Sequence, residues 1–219
     1  MNPVIPQFMY VLEVALFASV IFLHLAKKSS LAVTLYVGQS IIIAGLLFYS
    51  AFRDASLSLA LTAFAVLAVK AVVAPYFIRR LIAAHELKFT ASTYLNAPMT
   101  LLALAVITAF SFSDLLKPFA VMNAANGALP ILAIAMMFAS VFLIVNHKDA
   151  LSQMIGILSL ENSIVLFAFV TGLEQAPSLE LGIIFDLLVW ILIATIFISM
   201  VYRRFGTLDV SEMKNLKEE

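Results

Sequence analysis

The chain has 219 residues, 63% of them hydrophobic and 12% charged, with a formal net charge of zero. A soluble domain would carry about twice that share of charge, and a neutral chain makes no electrostatic case for nucleic acid. Cysteine is absent, which excludes disulfides, thiol chemistry and iron–sulfur ligation by this chain.

The apolar residues are gathered into long blocks, as in a polytopic helical membrane protein in a lipid bilayer. A β-barrel would instead show alternating segments of about ten residues. A helix needs about 20 apolar residues to cross hydrocarbon. That ruler predicts an all-α fold of seven transmembrane helices near 8–26, 30–52, 57–79, 98–115, 128–146, 150–171 and 180–202.

The first span holds Glu13, five residues in, where it reads as interfacial. The N-terminus lacks a basic region and a small-residue cleavage site, so it reads as a span and not as a cleavable signal peptide. Gln39 lies in the second span. The third carries Lys70 thirteen residues from its start, on one face with Ala63, Val66 and Ala74. Pro75, near its end, reads as a packing kink. The connection 80–97 contains His85, Glu86 and Lys88 and is polar enough for an interfacial helix.

The fourth span is the shortest. Segment 116–128, with Pro118, Asn123, Asn126 and Gly127, reads as a turn-rich connection. In the sixth span Ser152, Gly156, Ser159 and Ser163 follow i, i+4, i+7, i+11, a small-residue stripe that lets another helix approach closely. Glu161 lies about 200° around the helix from Ser159, so its carboxylate points away from that stripe. The seventh span holds Asp186 six residues in, with Gly182 one turn earlier.

Lys27, Lys28, Arg79, Arg80, Lys88, Lys148, Arg203, Arg204, Lys214 and Lys217 fall on one side of these spans, against Arg53 and Lys117 on the other. The positive-inside rule then predicts the N-terminus outside and the C-terminus in the cytoplasm. Spans 1–3 and 5–7 share one topology. Phe17-Ala-Ser-Val20 recurs as Phe138-Ala-Ser-Val141, each followed by a turn lysine (Lys28, Lys148) and a leucine (Leu31, Leu151), which suggests a parallel repeat.

His24, His85 and His147 fall at helix ends or in loops and read as interfacial side chains, so no metal, haem or other cofactor is expected. No Walker, dinucleotide or nucleophile-elbow motif occurs, and no catalytic centre is expected. What remains is charge inside the bilayer: Glu161, Asp186 and Lys70. Each costs at least about 2.5–3.5 kcal/mol at the centre of a span, which makes it a functional-site candidate. Low-dielectric surroundings favour the neutral forms of acids and amines alike, so protons can be exchanged there. Gln39, Gln153, Asn162 and Ser163 are available intermediates. The plainer alternative is a structural ion pair, Lys70 with Glu161 or Asp186, that fixes helix register.

Spans 5–7 resemble the small K subunit of respiratory complex I and its antiporter relatives. The resemblance rests on Gly156-Ile-Leu-Ser-Leu-Glu161-Asn162-Ser163, where the glycine stands further ahead of the acid than in that family's signature. An acid in the next helix and the basic stop Tyr202-Arg203-Arg204 add to it. The whole chain is similar to the component E family of hydrogenase-4 and related formate hydrogenlyase complexes. That likeness rests on Gln39, on Lys70-Ala-Val-Val-Ala-Pro75 and on the tail Gly206-Thr-Leu-Asp209-Val.

The resemblance implies a non-catalytic subunit of an oxidoreductase complex in a prokaryotic inner membrane. Its partners would be other membrane subunits, including antiporter-like ones, in a hetero-oligomer. It implies a proton relay with Glu161 at its centre, Asp186 and Lys70 assisting, and Gln39 and Asn162 as polar intermediates. Asp186 is a shorter acid and sits about one turn nearer the outer face than the family's second glutamate. The chain then divides into an N-terminal three-helix unit with its cytoplasmic connection (1–97), a linking helix and outer loop (98–127), and a K-like three-helix unit with its tail (128–219). A self-sufficient ion or solute transporter and a structural spacer are the alternatives.

Overall fold

Eight helical stretches and one π-helical turn account for most of the described residues of this computed structural model: 4–84, 93–124, 126–173 and isolated positions between 182 and 200. The seventh expected span, with Asp186, lies outside the described residues apart from those isolated positions. So do His85, Lys88 and the basic tail.

The described residues are helical and contain no strand; one isolated bridge joins Thr93 to His147. Helix α1 spans Val4–Leu25 and α2 spans Ser29–Arg53. Helix α3 (Leu57–Val66) runs through a π-helical turn (Leu67–Val73) into α4 (Ala74–Ala84). Then come α5 (Ala97–Ser111), the short α6 (Lys117–Ala120), α7 (Ala128–Asn146) and α8 (Ala150–Thr171). Among the described residues, four stretches are long and apolar enough to cross a membrane: Ser29–Arg53, Leu57–Arg80, Ala128–Asn146 and Ala150–Thr171. Met9–Leu25 of α1 and the whole of α5 are shorter apolar helices. At 15 residues, α5 is about 22 Å long and stops at Ser111, ahead of the expected end at 115.

Local chemistry sets the boundaries. Ser56 caps α3 by accepting from Leu59 N–H at 3.3 Å. Asn96 caps α5, accepting from Met99 N–H at 3.0 Å, and Asp149 caps α8, accepting from Ser152 N–H at 2.6 Å. Helix α8 ends on Gly172, whose φ of 73° is the left-handed stop that a residue without Cβ adopts freely. Within the π turn, Ala74 N–H reaches back five residues to Val69 O. Pro75 explains the widening. In an α-helix its ring would meet the carbonyl of Ala71 four residues back, and it has no N–H to offer that carbonyl.

The helices pack as two hairpins side by side, α1 against α2 and α7 against α8, with α1 also on α7 and α2 on α8. Helix α3 lies on α2, and α5 packs against α7. The closest approach is α7 on α8. A Cβ on Gly156 would sit 2.7 Å from Ile144 Cγ1 and 3.2 Å from its backbone nitrogen. The stripe of small residues on α8 thus faces α7, as its spacing predicts.

At one end of this four-helix array the α1–α2 and α7–α8 turns meet. His24 stacks on Phe142 with ring centroids 5.3 Å apart and lies 6.3 Å from His147. Both histidines are buried, and each Nδ1 lies 3.0 Å from the carbonyl four residues back. Both lie at helix ends, as expected, and are enclosed there by the protein. Glu13 departs from expectation. It is 1% exposed, because α1 begins at Val4 and so carries Glu13 about 14 Å into the helix, on the face of Leu16, Val20 and Leu23 that the bundle covers.

Candidate functional site

The depth of three helices decides what meets at the centre. Gln39 is ten residues into α2, Lys70 thirteen residues past Leu57, and Glu161 eleven residues into α8; each lies about 15–20 Å from its end. Four of the five expected relay residues therefore come to one level. The fifth, Asp186, lies outside the described residues.

Lys70 projects from the π turn and is fully buried, together with Ala63 and Ala74 on its face. Its Nζ donates to Asn162 Oδ1 at 3.0 Å and lies 3.7 Å from Glu161 Oε2. Asn162, itself 0% exposed, continues the line. Its Nδ2 donates to Ser40 Oγ at 3.3 Å and to Gln39 Oε1 at 3.5 Å. Ser40 in turn donates to the carbonyl of Tyr36 at 3.0 Å. Tyr36, Gln39 and Ser40 fall at i, i+3 and i+4 on α2 and are all buried. Buried polar groups are almost always hydrogen-bonded, so Gln39 Nε2, buried without a protein partner among the described residues, is a donor left over at the end of the line.

The geometry separates two kinds of polar contact on α8. The side turned to α7 holds a small hydroxyl cluster, with Ser140 Oγ 3.2 Å from Ser159 Oγ and 3.4 Å from Ser163 Oγ. These short side chains satisfy one another and let the helices close. Glu161 and Asn162 turn away from that cluster, toward α3 and α2. Glu161 has 18% of its side chain exposed, so the carboxylate sits at the rim of the line while the lysine is sealed within it.

Sequence reasoning missed Tyr36, Ser40 and the π turn. The spacing of Tyr36, Gln39 and Ser40 within an apolar helix was the available signal for the first two. Gln153, considered as an intermediate, instead donates to the carbonyl of His147 at 2.9 Å and closes the α7–α8 turn. Among the described residues, no group of three or more His, Asp or Glu side chains is placed to hold a metal ion.

What the arrangement can do follows from its donors and acceptors. An ammonium can release a proton and a carboxylate can take one up, and hydroxyls can donate and accept hydrogen bonds. The amides of Asn162 and Gln39 hold their neighbours in place.

Compared with known proteins, the chain is similar to an uncharacterized protein, Rv0085, of Mycobacterium tuberculosis, at 28% identity over 172 residues that cover 76% of each chain. No protein-family profile and no solved structure matches it.

Proposed function

We propose that the chain is a non-catalytic membrane subunit of a hydrogenase-4-like or complex I-related assembly, taking part in proton translocation coupled to redox chemistry in partner subunits. The observation that carries the reading is the buried line from Glu161 and Lys70 through Asn162 to Ser40 and Gln39, in the middle of apolar helices. Polar groups at such depth are expensive and usually face a bundle interior or an ion path. The π turn that presents Lys70 adds support, since such turns are frequent at functional sites.

In this reading the protein crosses a prokaryotic inner membrane seven times, with its N-terminus outside and its C-terminus in the cytoplasm. It sits between the redox partner and antiporter-like subunits. Glu161, at the rim, takes the proton from or gives it to a neighbour. Lys70 exchanges with it, and Asn162 ties the lysine to α2. Asp186 serves as a further station in the seventh span. The chain brings no cofactor of its own.

Glu161→Gln in the assembled complex tests this. The expected result is intact assembly and redox turnover with proton translocation lost. Unchanged coupling would remove the relay. Transport by the purified chain alone would make it a transporter instead. One observation favours a second reading, a structural ion pair: Lys70 is fully sealed and lies 3.7 Å from the Glu161 carboxylate while donating to Asn162. On that reading Lys70→Met combined with Glu161→Leu keeps coupling, whereas the relay requires that it fail.

A further inference from the structure

We propose that the groove between α2 and the exit of the π turn binds one anionic phospholipid, its headgroup held by Arg79 and Arg80 and an acyl chain lying along the apolar wall. The groove holds about 550 Å3. Its wall is Val37 of α2 with Ala71, Val72 and Pro75 around the π turn, and Tyr76, Arg79 and Arg80 continue it along α4. No acidic residue lines it among the described residues.

The charge calls for an anion. Arg79 and Arg80 are both exposed, and among the described residues neither guanidinium has an ion-pair partner. The depth calls for a lipid. Leu57–Arg80 is long enough to cross a membrane, and the two arginines form its last turn, where headgroups lie. Tyr76 stands one turn further in and is 59% exposed, the place of an aromatic ring at a membrane interface. A free phosphate would leave the apolar wall unused, and an acyl chain would cover it, including Val72, which is 63% exposed. Ala71 and Val72 belong to the π turn and Pro75 follows it directly, so the groove opens where the helix changes register. The proposal rests on the chain spanning a membrane and is independent of proton relay.

The test uses the full-length protein, in the complex with which it purifies, in nanodiscs of equal parts phosphatidylglycerol and phosphatidylcholine. Retained lipid is measured by native mass spectrometry after extraction into mild detergent. Wild type is expected to retain phosphatidylglycerol on the order of tenfold over phosphatidylcholine. Arg79→Gln with Arg80→Gln brings the ratio to about one, and the paired Arg→Lys variant keeps most of it. Val72→Trp, which fills the apolar wall and leaves both charges, reduces retention of either lipid. Equal retention by wild type, a preference that survives the double Gln variant, or unchanged retention in Val72→Trp would overturn the proposal. Displacement of the lipid by millimolar inorganic phosphate would also overturn it and reassign the arginines to a free anion.

Discussion

Lys70 donates to Asn162 at 3.0 Å across the contact between the π turn and α8, and no water-exposed atom of the lysine remains. A fully buried ammonium held by an amide on one side and a carboxylate 3.7 Å away on another is sensitive to the loss of either partner. Lys70→Met is expected to destabilise the protein by about 3 kcal/mol, because it takes the buried ammonium away from Asn162 Oδ1 and from the Glu161 carboxylate together. Lys70→Met with Glu161→Leu should regain most of that loss. Denaturant titration of the purified protein and its variants measures the cycle, and additive losses would show that the two charges do not interact.

Gly156 sits where α7 and α8 come closest. Gly156→Ala puts a methyl 2.7 Å from Ile144 Cγ1, and the expected cost of overpacking is about 1–3 kcal/mol. Ile144→Ala, which removes Cγ1, should relieve part of it. If Gly156→Ala is neutral in thermal unfolding, the close contact is not needed for stability.

Glu13 is buried, and its Oε2 has no hydrogen-bond partner among the described residues. An unsatisfied buried polar group costs about 1–3 kcal/mol, so Glu13→Met is expected to stabilise the isolated protein. Denaturation midpoints decide it. A loss of stability would mean that the carboxyl is held by groups outside the described residues.

His147 lies in the turn between α7 and α8, outside the apolar helices. Burial pushes its imidazole below the usual value of 6.5, against a smaller opposing pull from the carbonyl of Leu143. Above that value the ring is neutral in both folded and unfolded chains and contributes nothing to pH dependence. As pH falls below about 6.5, the unfolded chain binds the proton first and stability declines. The melting temperature should therefore fall between pH 7 and pH 5, and His147→Gln should flatten that part of the profile.

Topology can be read directly because the chain has no cysteine. Lys28 and Val121 are exposed at opposite ends of the bundle. An impermeant maleimide should label Val121→Cys on intact cells and Lys28→Cys only after permeabilisation. The reverse pattern would invert the orientation.

The long helices were legible because apolar run length translates directly into span length. Helix α2, the α3–α4 stretch, α7 and α8 fall within a few residues of their expected limits. The stripe on α8 was legible for the same kind of reason, since a fixed 100° step puts Ser152, Gly156, Ser159 and Ser163 on one side. Lys70, Glu161, Gln39 and Asn162 stood out because each is costly at its depth. Their mutual geometry was not legible. Whether Lys70 meets an acid on the sixth or the seventh span depends on which helices are neighbours, and periodicity does not report that. The π turn changes register locally, and Pro75 gave only a general signal of a break. Glu13 was misjudged because the helix starts four residues earlier than the apolar run.

The amide of Asn162 has a direction, and that direction carries information. Its oxygen must face Lys70 for as long as the lysine bears all its hydrogens, which leaves the nitrogen for Gln39 and Ser40. A lysine stripped of one hydrogen acquires a lone pair and would tolerate the amide turned end for end, whereupon Ser40 would have to reverse its own hydroxyl. A change of charge on one helix would thus be transcribed into polarity on another, with no side chain travelling more than a rotation.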